Sequence, residues 1–304
     1  LKVEDAQSTL PPGSEIPFYP DSRPLAMEDR PSLRSLFEAL QPRVSELTFA
    51  GLWLFRHAHG YRLSRIDDSL LVLGQGYDGS PYAFPPMGGD VTAVASRLLS
   101  AGLSFYGVEN PLLLESLSRA GRVVEDRDNW DYLYSRSDLA TLPGNRYHKK
   151  KNRINYFLAR HDCTVELLGP QHTKACLDFL QEWGRVRNAT ESSSFNPELE
   201  ATVEAVRSVH LLGLEGLVAL VDGRVRALVI GERLNTDTSV CHFQKSDPFM
   251  EGLSQLIDRE FNARLFTDCT FVNREQDLGE PGLRAAKLSY HPIDMVRKYR
   301  ILPA

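Results

Sequence analysis

Between Thr267 and Pro292 the chain reads TDCTFVNREQDLGEPGLRAAKLSYHP, its densest concentration of reactive side chains. Arg274, Arg284 and Lys287 stand among Glu275, Asp277 and Glu280, and Gly279 and Gly282 permit tight backbone paths. Arg284 and Lys287 are three apart, so on a helix they share a face. With Arg274 at the end of a preceding strand, all three cations can converge on one anionic group. Glu275 or Asp277 can orient an acceptor or take its proton, and Tyr290 can donate a hydrogen bond. His242, on the apolar run Thr238 to Gln244, is the candidate base. The same residues can equally form a surface turn laced with weak ion pairs.

A second cluster lies in Asn145-Arg146-Tyr147-His148-Lys149-Lys150-Lys151-Asn152-Arg153, the one dense positive block in a chain of net charge -5. Ile154, Phe157 and Leu158 continue it at helical spacing, which puts the cations in the first turns of a helix. The helix dipole disfavours cations there, and such a conflict points to function. Lys149, Lys150, Asn152 and Arg153 are therefore candidates for holding a polyanion: RNA, an anionic lipid head or a cofactor phosphate. A solvated helix face is the alternative. Met87-Gly88-Gly89-Asp90, between a strand and a helix, offers a third anion site through exposed amides, although it matches neither common phosphate-binding glycine pattern.

The elements that must position these residues follow from periodicity. Asp29 or Arg30 starts a helix with Pro31 in its first turn. A short apolar segment follows at Glu46 to Phe55, then HAHG, whose His57 and His59 lack a third metal ligand nearby. Tyr61 to Ile66 and Ser69 to Gln75 form a hairpin. Pro81 to Pro86 and Leu103 to Val108 are strands, Val91 to Leu99 and Pro111 to Ala120 helices, and Val123 to Glu125 and Trp130 to Tyr134 two further strands. After the basic block come helices from Pro170 or Gln171 through Trp183 and from Leu199 to Leu212, with a polar loop, Arg187 to Pro197, between them. A hairpin then turns at Asp222-Gly223. A strand at Thr238 to Gln244, a helix at Glu251 to Phe261 and a strand at Leu265 to Asp268 complete the series. The order helix, hairpin, strand, helix, strand repeats that of residues 31 to 108, which reads as a duplicated α/β (α+β) unit. The expected division is a proline-rich arm over 1–24, a first half over 25–140, a basic linking helix over 141–164 and a second half over 165–304.

Composition narrows the partners. With 42% hydrophobic and 25% charged residues the 304-residue chain is an ordinary globular protein of one large or two medium domains. The acidic balance argues against a surface that coats nucleic acid, so DNA is not an expected partner. Cys163, Cys176, Cys241 and Cys269 are scattered and form no CxxC pair; they read as reduced, metal-free thiols of a cytoplasmic protein. No apolar run reaches transmembrane length. The chain opens on Leu1 without a basic-then-apolar leader, which reads as a trimmed start or one partway through a gene product.

The segment NRExDLGxxGLRxAKxSYxP, with Tyr147 to Asn155 as a second motif, resembles domain-of-unknown-function family 2156. That family is grouped with the C-terminal, catalytic domain of phosphatidylglycerol lysyltransferases. The resemblance runs from about Pro20 to the end. It implies two tandem GNAT-like (acyl-CoA N-acyltransferase-like) halves with mixed central sheets, and transfer of an aminoacyl or other activated acyl group to an amine or hydroxyl. Aminoacyl-tRNA or a coenzyme A thioester is the implied donor, and tRNA and a small-molecule or peptide acceptor are the implied partners. Peripheral contact with anionic lipid is a further expectation, and a non-catalytic anion- or nucleotide-binding module is the competing reading. One departure bears on the donor. Lys245-Ser246-Asp247-Pro248-Phe249-Met250-Glu251-Gly252 stands where a glycine-rich pyrophosphate loop belongs. Pro248 lacks an amide donor, and Asp247 and Glu251 would repel a pyrophosphate.

Overall fold

The structure, a computed structural model, describes residues 16–188 and 197–304. Most of the expected proline-rich arm and of the polar loop after Arg187 therefore lies outside the described residues.

In chain order the elements are β1 (Arg23–Pro24), α1 (Arg30–Leu40), α2 (Phe49–Leu54), α3 (Arg56–His59), β2 (Arg62–Ile66), β3 (Ser69–Gln75), β4 (Pro81–Ala83), α4 (Val91–Ser100), β5 (Phe105–Val108), α5 (Pro111–Leu117), β6 (Gly121–Glu125), β7 (Asp131–Ser135) and α6 (Arg136–Thr141). There follow α7 (His148–Leu158), β8 (Cys163–Leu167), α8 (Thr173–Asn188), α9 (Pro197–Leu212), β9 (Glu215–Val221), β10 (Arg224–Arg233), β11 (Thr238–Ser246), α10 (Leu253–Arg264), β12 (Phe271–Asn273), α11 (Pro281–Leu288), β13 (Asp294–Val296) and β14 (Tyr299–Pro303). Local chemistry accounts for many boundaries: Asp90 accepts from the Ala93 amide to cap α4, Asn110 caps α5 ahead of Pro111, and Ser135 caps α6.

The strands form two mixed seven-stranded sheets, in the orders β1-β2-β3-β4-β5-β14-β6 and β8-β9-β10-β11-β12-β7-β13. Taken in those orders, each neighbouring pair in one sheet has its counterpart in the other. Three antiparallel pairs are followed by one parallel pair, β4 with β5 and β11 with β12, and then two antiparallel pairs. The fold is thus a duplicated GNAT-like α/β architecture.

The two compact units are discontinuous in sequence. Of the described residues, unit 1 holds 16–40, 55–127 and 297–304, and unit 2 holds 41–54, 128–188 and 197–296. The sixth strand of each sheet order is out of sequence: β14, late in the chain, lies between β5 and β6, and β7, which precedes every other strand of its sheet, lies between β12 and β13. Each sheet therefore closes only with a strand from the other half of the sequence. Helix α7 lies within unit 2, and β6 and β7 belong to different sheets.

Unit 1 packs α4 and α5 on its sheet through Val94, Leu98, Leu99, Leu113 and Leu117, which bury with Phe105, Val108 and Ile301. Unit 2 packs α6, α7 and α10 on its sheet through Leu139, Ile154, Phe157, Leu256, Ile257 and Phe261, with Leu217, Ala227 and Val272 opposite. The expected strand at Leu265 to Asp268 is not formed. Leu265 ends α10, Phe266 turns the chain with φ +50°, and pairing begins only at Phe271.

Candidate active site

The site is assembled in unit 2 where the parallel strands β11 and β12 separate. Their pairing covers Thr238 to Val240 against Phe271 to Asn273 and then stops, because β12 ends while β11 runs on to Ser246. On its other side β11 carries an extra residue: Ile230 faces Phe243 and Gly231 faces Cys241, which leaves His242 unpaired in a bulge. A bulge re-aims a side chain. Gly231 makes it feasible, since a Cβ there would lie 2.2 Å from the Val240 carbonyl oxygen.

His242 is buried, with Nδ1 2.7 Å from Glu275 Oε1 and Nε2 2.9 Å from Glu232 Oε1. Carboxylate oxygens only accept, so both ring nitrogens carry protons. Burial by itself would favour the neutral ring; the two carboxylates more than reverse this and raise the pKa to about 10. His242, the candidate base, thus has both ring nitrogens engaged and its charged form favoured. Glu275 has φ +56°, and its amide donates to Asn273 Oδ1 at 2.8 Å. Its side chain is 22% exposed, so it is a carboxylate anchored on one oxygen and reachable by solvent.

Arg274 donates from one terminal nitrogen to Gln244 Oε1 at 2.9 Å and from the other to Asp258 on α10 at 3.1 Å. Its guanidinium lies 5.1 Å from the centre of the Tyr290 ring. Desolvation raises the pKa of Asp258, and Arg274 and Lys150 oppose that shift. Burial pushes the Tyr290 phenol up strongly, so the ring keeps its proton.

The three cations expected on one anion have separate internal partners. Arg284 forks onto Asp277, with Nε at 2.9 Å and a terminal nitrogen at 2.7 Å, and also reaches Asp128 at 2.7 Å. Asp277 further accepts from the Tyr132 hydroxyl at 2.5 Å and the Gly279 amide at 2.9 Å. Burial would raise its pKa, yet these donors hold it well below the usual carboxylate range. Lys287 donates to the carbonyls of Arg274 at 2.6 Å and Gln276 at 2.5 Å. Burial lowers its pKa to about 8. Asp277 and Arg284 thus form a clasp behind the site, and the Lys287 amine tethers the turn that carries Glu275.

Helix α7 divides its cations. Lys149, Asn152 and Arg153 lie on the exposed face; Asn152 Nδ2 is 3.3 Å from His148 Nε2, and Arg153 is 3.4 Å from Glu251. Lys150 turns inward, with Nζ 2.6 Å from Ser289 Oγ and 3.9 Å from the centre of the Tyr290 ring. Gly252, immediately before α10, has φ +99°, and a Cβ there would sit 2.1 Å from the Arg153 carbonyl oxygen. Backbone of α7 therefore lies against the first turn of α10, and Asp247 takes the Phe249 amide at 3.0 Å.

Gly88 and Gly89 belong to unit 1, apart from these residues in the division of the chain. Both have positive φ, and the Gly88 carbonyl is taken by the Ser69 hydroxyl at 2.6 Å. Asp90 caps the following helix and Asp68 packs against Gly89. The turn offered as a third anion site thus carries two aspartates beside its glycines. Sequence reasoning missed Glu232 and Asp258. Asp258 had a readable signal, a charge on the buried stripe formed by Leu253, Leu256, Ile257 and Phe261.

A duplicated GNAT-like fold with a polar site where parallel strands part is an acyl- or aminoacyl-transfer architecture. Residues 37–302 match the family described as "Phosphatidylglycerol lysyltransferase, C-terminal", and the chain belongs to that family. A conserved protein of unknown function from Bacteroides thetaiotaomicron is 30% identical with a TM-score of 0.86, over 93% of this chain and 99% of that one. The DUF2156 C-terminal domain of a protein assigned as a lysylphosphatidylglycerol synthetase from Agrobacterium fabrum shares the fold at a TM-score of 0.62 and 15% identity. That match covers 88% of this chain and 90% of the other. An uncharacterized protein of Mycoplasmoides gallisepticum is 20% identical over 56% of this chain, and the match spans 55% of that protein's length. Among the described residues no helix is long and apolar enough to cross a membrane.

Proposed function

We propose that the protein transfers an aminoacyl group from aminoacyl-tRNA to the amine or hydroxyl of a small-molecule or peptide acceptor, using the site in unit 2. The observation that carries the choice of donor is the arrangement at α7 and α10. Backbone of α7 lies on the turn that would have to cradle a coenzyme pyrophosphate, while Lys149 and Arg153 face solvent. Exposed cations on one helix face suit an RNA backbone, whose binding begins with phosphate neutralisation. Membership of the lysyltransferase family supports the same reaction class.

In this reading the acceptor nitrogen or oxygen attacks the ester carbonyl. The new bond to carbon forms, the bond to the ribose oxygen breaks, and the ribose leaves as its alcohol. Glu275, held on one oxygen by His242, accepts the acceptor's proton. The Arg274 guanidinium, packed on the Tyr290 ring, supplies positive charge for the developing oxyanion. Asp277, Arg284 and Lys287 act through the turn that carries Glu275, as positioning residues.

The test is a binding and turnover screen on the full chain. We expect salt-sensitive binding of bulk aminoacyl-tRNA, lost in Lys149→Glu/Arg153→Glu, and faster loss of ester-linked amino acid when acceptor mixtures are added. Binding of coenzyme A thioesters without any binding of tRNA would overturn the choice of donor. Anionic vesicles serve as the third arm, and their capture alone would favour a peripheral lipid-binding role.

A further inference from the structure

Helix α7 leaves one face to solvent. Ile154 and Phe157 take its buried side, while Lys149, Asn152, Arg153 and Tyr156 are exposed at spacings of three and four. Arg160, two residues past the helix, lays its guanidinium on the Tyr156 ring, 3.6 Å from the ring centre, and donates to the Tyr156 carbonyl at 3.1 Å. Tyr156 nevertheless remains 47% exposed.

The neighbouring turn adds a second ring. Phe249 follows Pro248 between β11 and α10 and is 81% exposed. That turn is held against α7. A Cβ on Gly252 would meet the Arg153 carbonyl oxygen at 2.1 Å and the Phe157 Cβ at 2.8 Å, and Glu251 lies 3.4 Å from Arg153. Both side chains of that ion pair are exposed, so it is weak and leaves Arg153 able to exchange partners. Single exposed apolar side chains are ordinary. Two exposed rings flanking the dense basic block of the chain form a different pattern, because cations combined with open aromatic faces are how proteins hold single-stranded nucleic acid.

We propose that Tyr156 and Phe249 are a stacking platform for the unpaired bases of an RNA whose phosphates lie along Lys149 and Arg153. The platform presupposes the aminoacyl-tRNA donor proposed above and specifies which part of it is held. That part is the unpaired 3′ end, since only unpaired bases present a face to an aromatic ring. The direction of α7 suits an end that runs into the site. Lys150, on the inner side of the helix, touches Ser289 and the Tyr290 ring, and the same ring carries Arg274. At roughly 1.5 Å per residue, Tyr156 stands about 9 Å from Lys150 along the axis. A strand with its terminal ester at Glu275 therefore passes Arg153 and Tyr156 within a few nucleotides. Arg160 beneath the Tyr156 ring makes that part of the platform cationic, and Asn152 offers an amide to a base edge. An anionic membrane also attracts cations and exposed rings together. Here Glu251, 62% exposed beside Arg153, would be pressed onto the lipid phosphates, whereas a single strand can pass it.

The experiment uses the full chain and deacylated bulk tRNA, either intact or trimmed of its unpaired 3′ nucleotides, with affinities compared at fixed salt. Tyr156→Ala and Phe249→Ala should each weaken binding of intact tRNA about fivefold or more, with melting temperature and binding of trimmed tRNA unchanged. The wild type should accordingly prefer intact over trimmed tRNA by about twentyfold or more, the product of two independent stacks. Lys149→Glu/Arg153→Glu should weaken both forms alike. Equal binding of intact and trimmed tRNA by the wild type would overturn the platform, as would variants that weaken both forms equally or an effect in only one of the two ring variants. Each of those results leaves the donor standing, because transfer from aminoacyl-tRNA tests it separately. No binding of either tRNA by the wild type would overturn both. Anionic vesicles are the remaining arm: a Phe249→Ala defect confined to vesicle capture would also overturn the platform and assign the ring to a membrane.

Discussion

The two sheets carry the same parallel pair, and the two pairs are finished in opposite ways. In unit 1 the parallel register of β4 and β5 is confined to Ala83 and Phe105, and the side chains around it are aromatic. Tyr82 and Phe84 lie 5.1 and 5.6 Å from Tyr106, and Tyr61 lies 6.1 Å from Phe84, all buried. In unit 2 the corresponding strands part over His242, Gln244, Arg274 and Glu275, with Asp258 behind them. Aromatic packing stabilises a fold without further conditions, whereas buried charges cost stability unless every one is paired. Unit 1 does keep one charge at its aromatic cluster, Arg300 over the Tyr106 ring at 4.9 Å and paired with Asp126, whereas in unit 2 the charged groups line the parting itself. In the proposed function unit 2 carries the site, and the comparison is the ground for that choice.

The largest expected effect breaks the reciprocity of the sheets. Deleting residues 297–304 removes β14 from between β5 and β6. Unit 1 should then lose cooperative folding, while unit 2, which contains none of those residues, keeps slow hydrogen exchange in β9 to β12. Retained protection in β2 to β5 would show that β14 is dispensable.

Next is the paired charge behind the site. Asp258→Ala leaves Arg274, 14% exposed, without its carboxylate. Urea unfolding should show a loss of about 3–5 kcal/mol. A loss of only a few tenths would mean that solvent reaches Arg274.

A smaller effect concerns the clasp. The Asp277 pKa is depressed in the folded state, so its contribution is complete above the unfolded carboxylate value near 3.9 and is lost as pH falls through the folded value. The stability gap between the wild type and Asp277→Asn should therefore be constant at neutral pH and narrow in acid. A gap that widens in acid would contradict the assignment.

The smallest effect sharpens the contrast itself. Phe84→Leu, in the sealed pair of unit 1, should cost about 1 kcal/mol and leave tRNA binding and turnover unchanged.

The sequence made the duplication readable because hairpins, capped helices and apolar periods are local. Asp67-Asp68 and Asp222-Gly223 mark the two hairpin turns, and Glu275 and His242 do meet. The strand exchange was not readable. The short β7 and β14 carry a face pattern, but no local signal states which sheet receives them. The same limit hid the partners of the cations. Arg284 finds Asp128 at a separation of 156 residues, and only three-dimensional closure decides that it reaches a carboxylate and not a ligand. The bulge at His242 was invisible as well, since it depends on the register of β10 against β11.

The account turns on Glu275 as the group that takes the acceptor's proton. The most direct measurement is turnover of aminoacyl-tRNA by Glu275→Gln beside the wild type, with tRNA affinity measured on both. Loss of about a hundredfold or more in transfer, with unchanged tRNA binding and an unchanged melting temperature, is the predicted result. Equal transfer by the variant, or no transfer by the wild type with any acceptor, would contradict it.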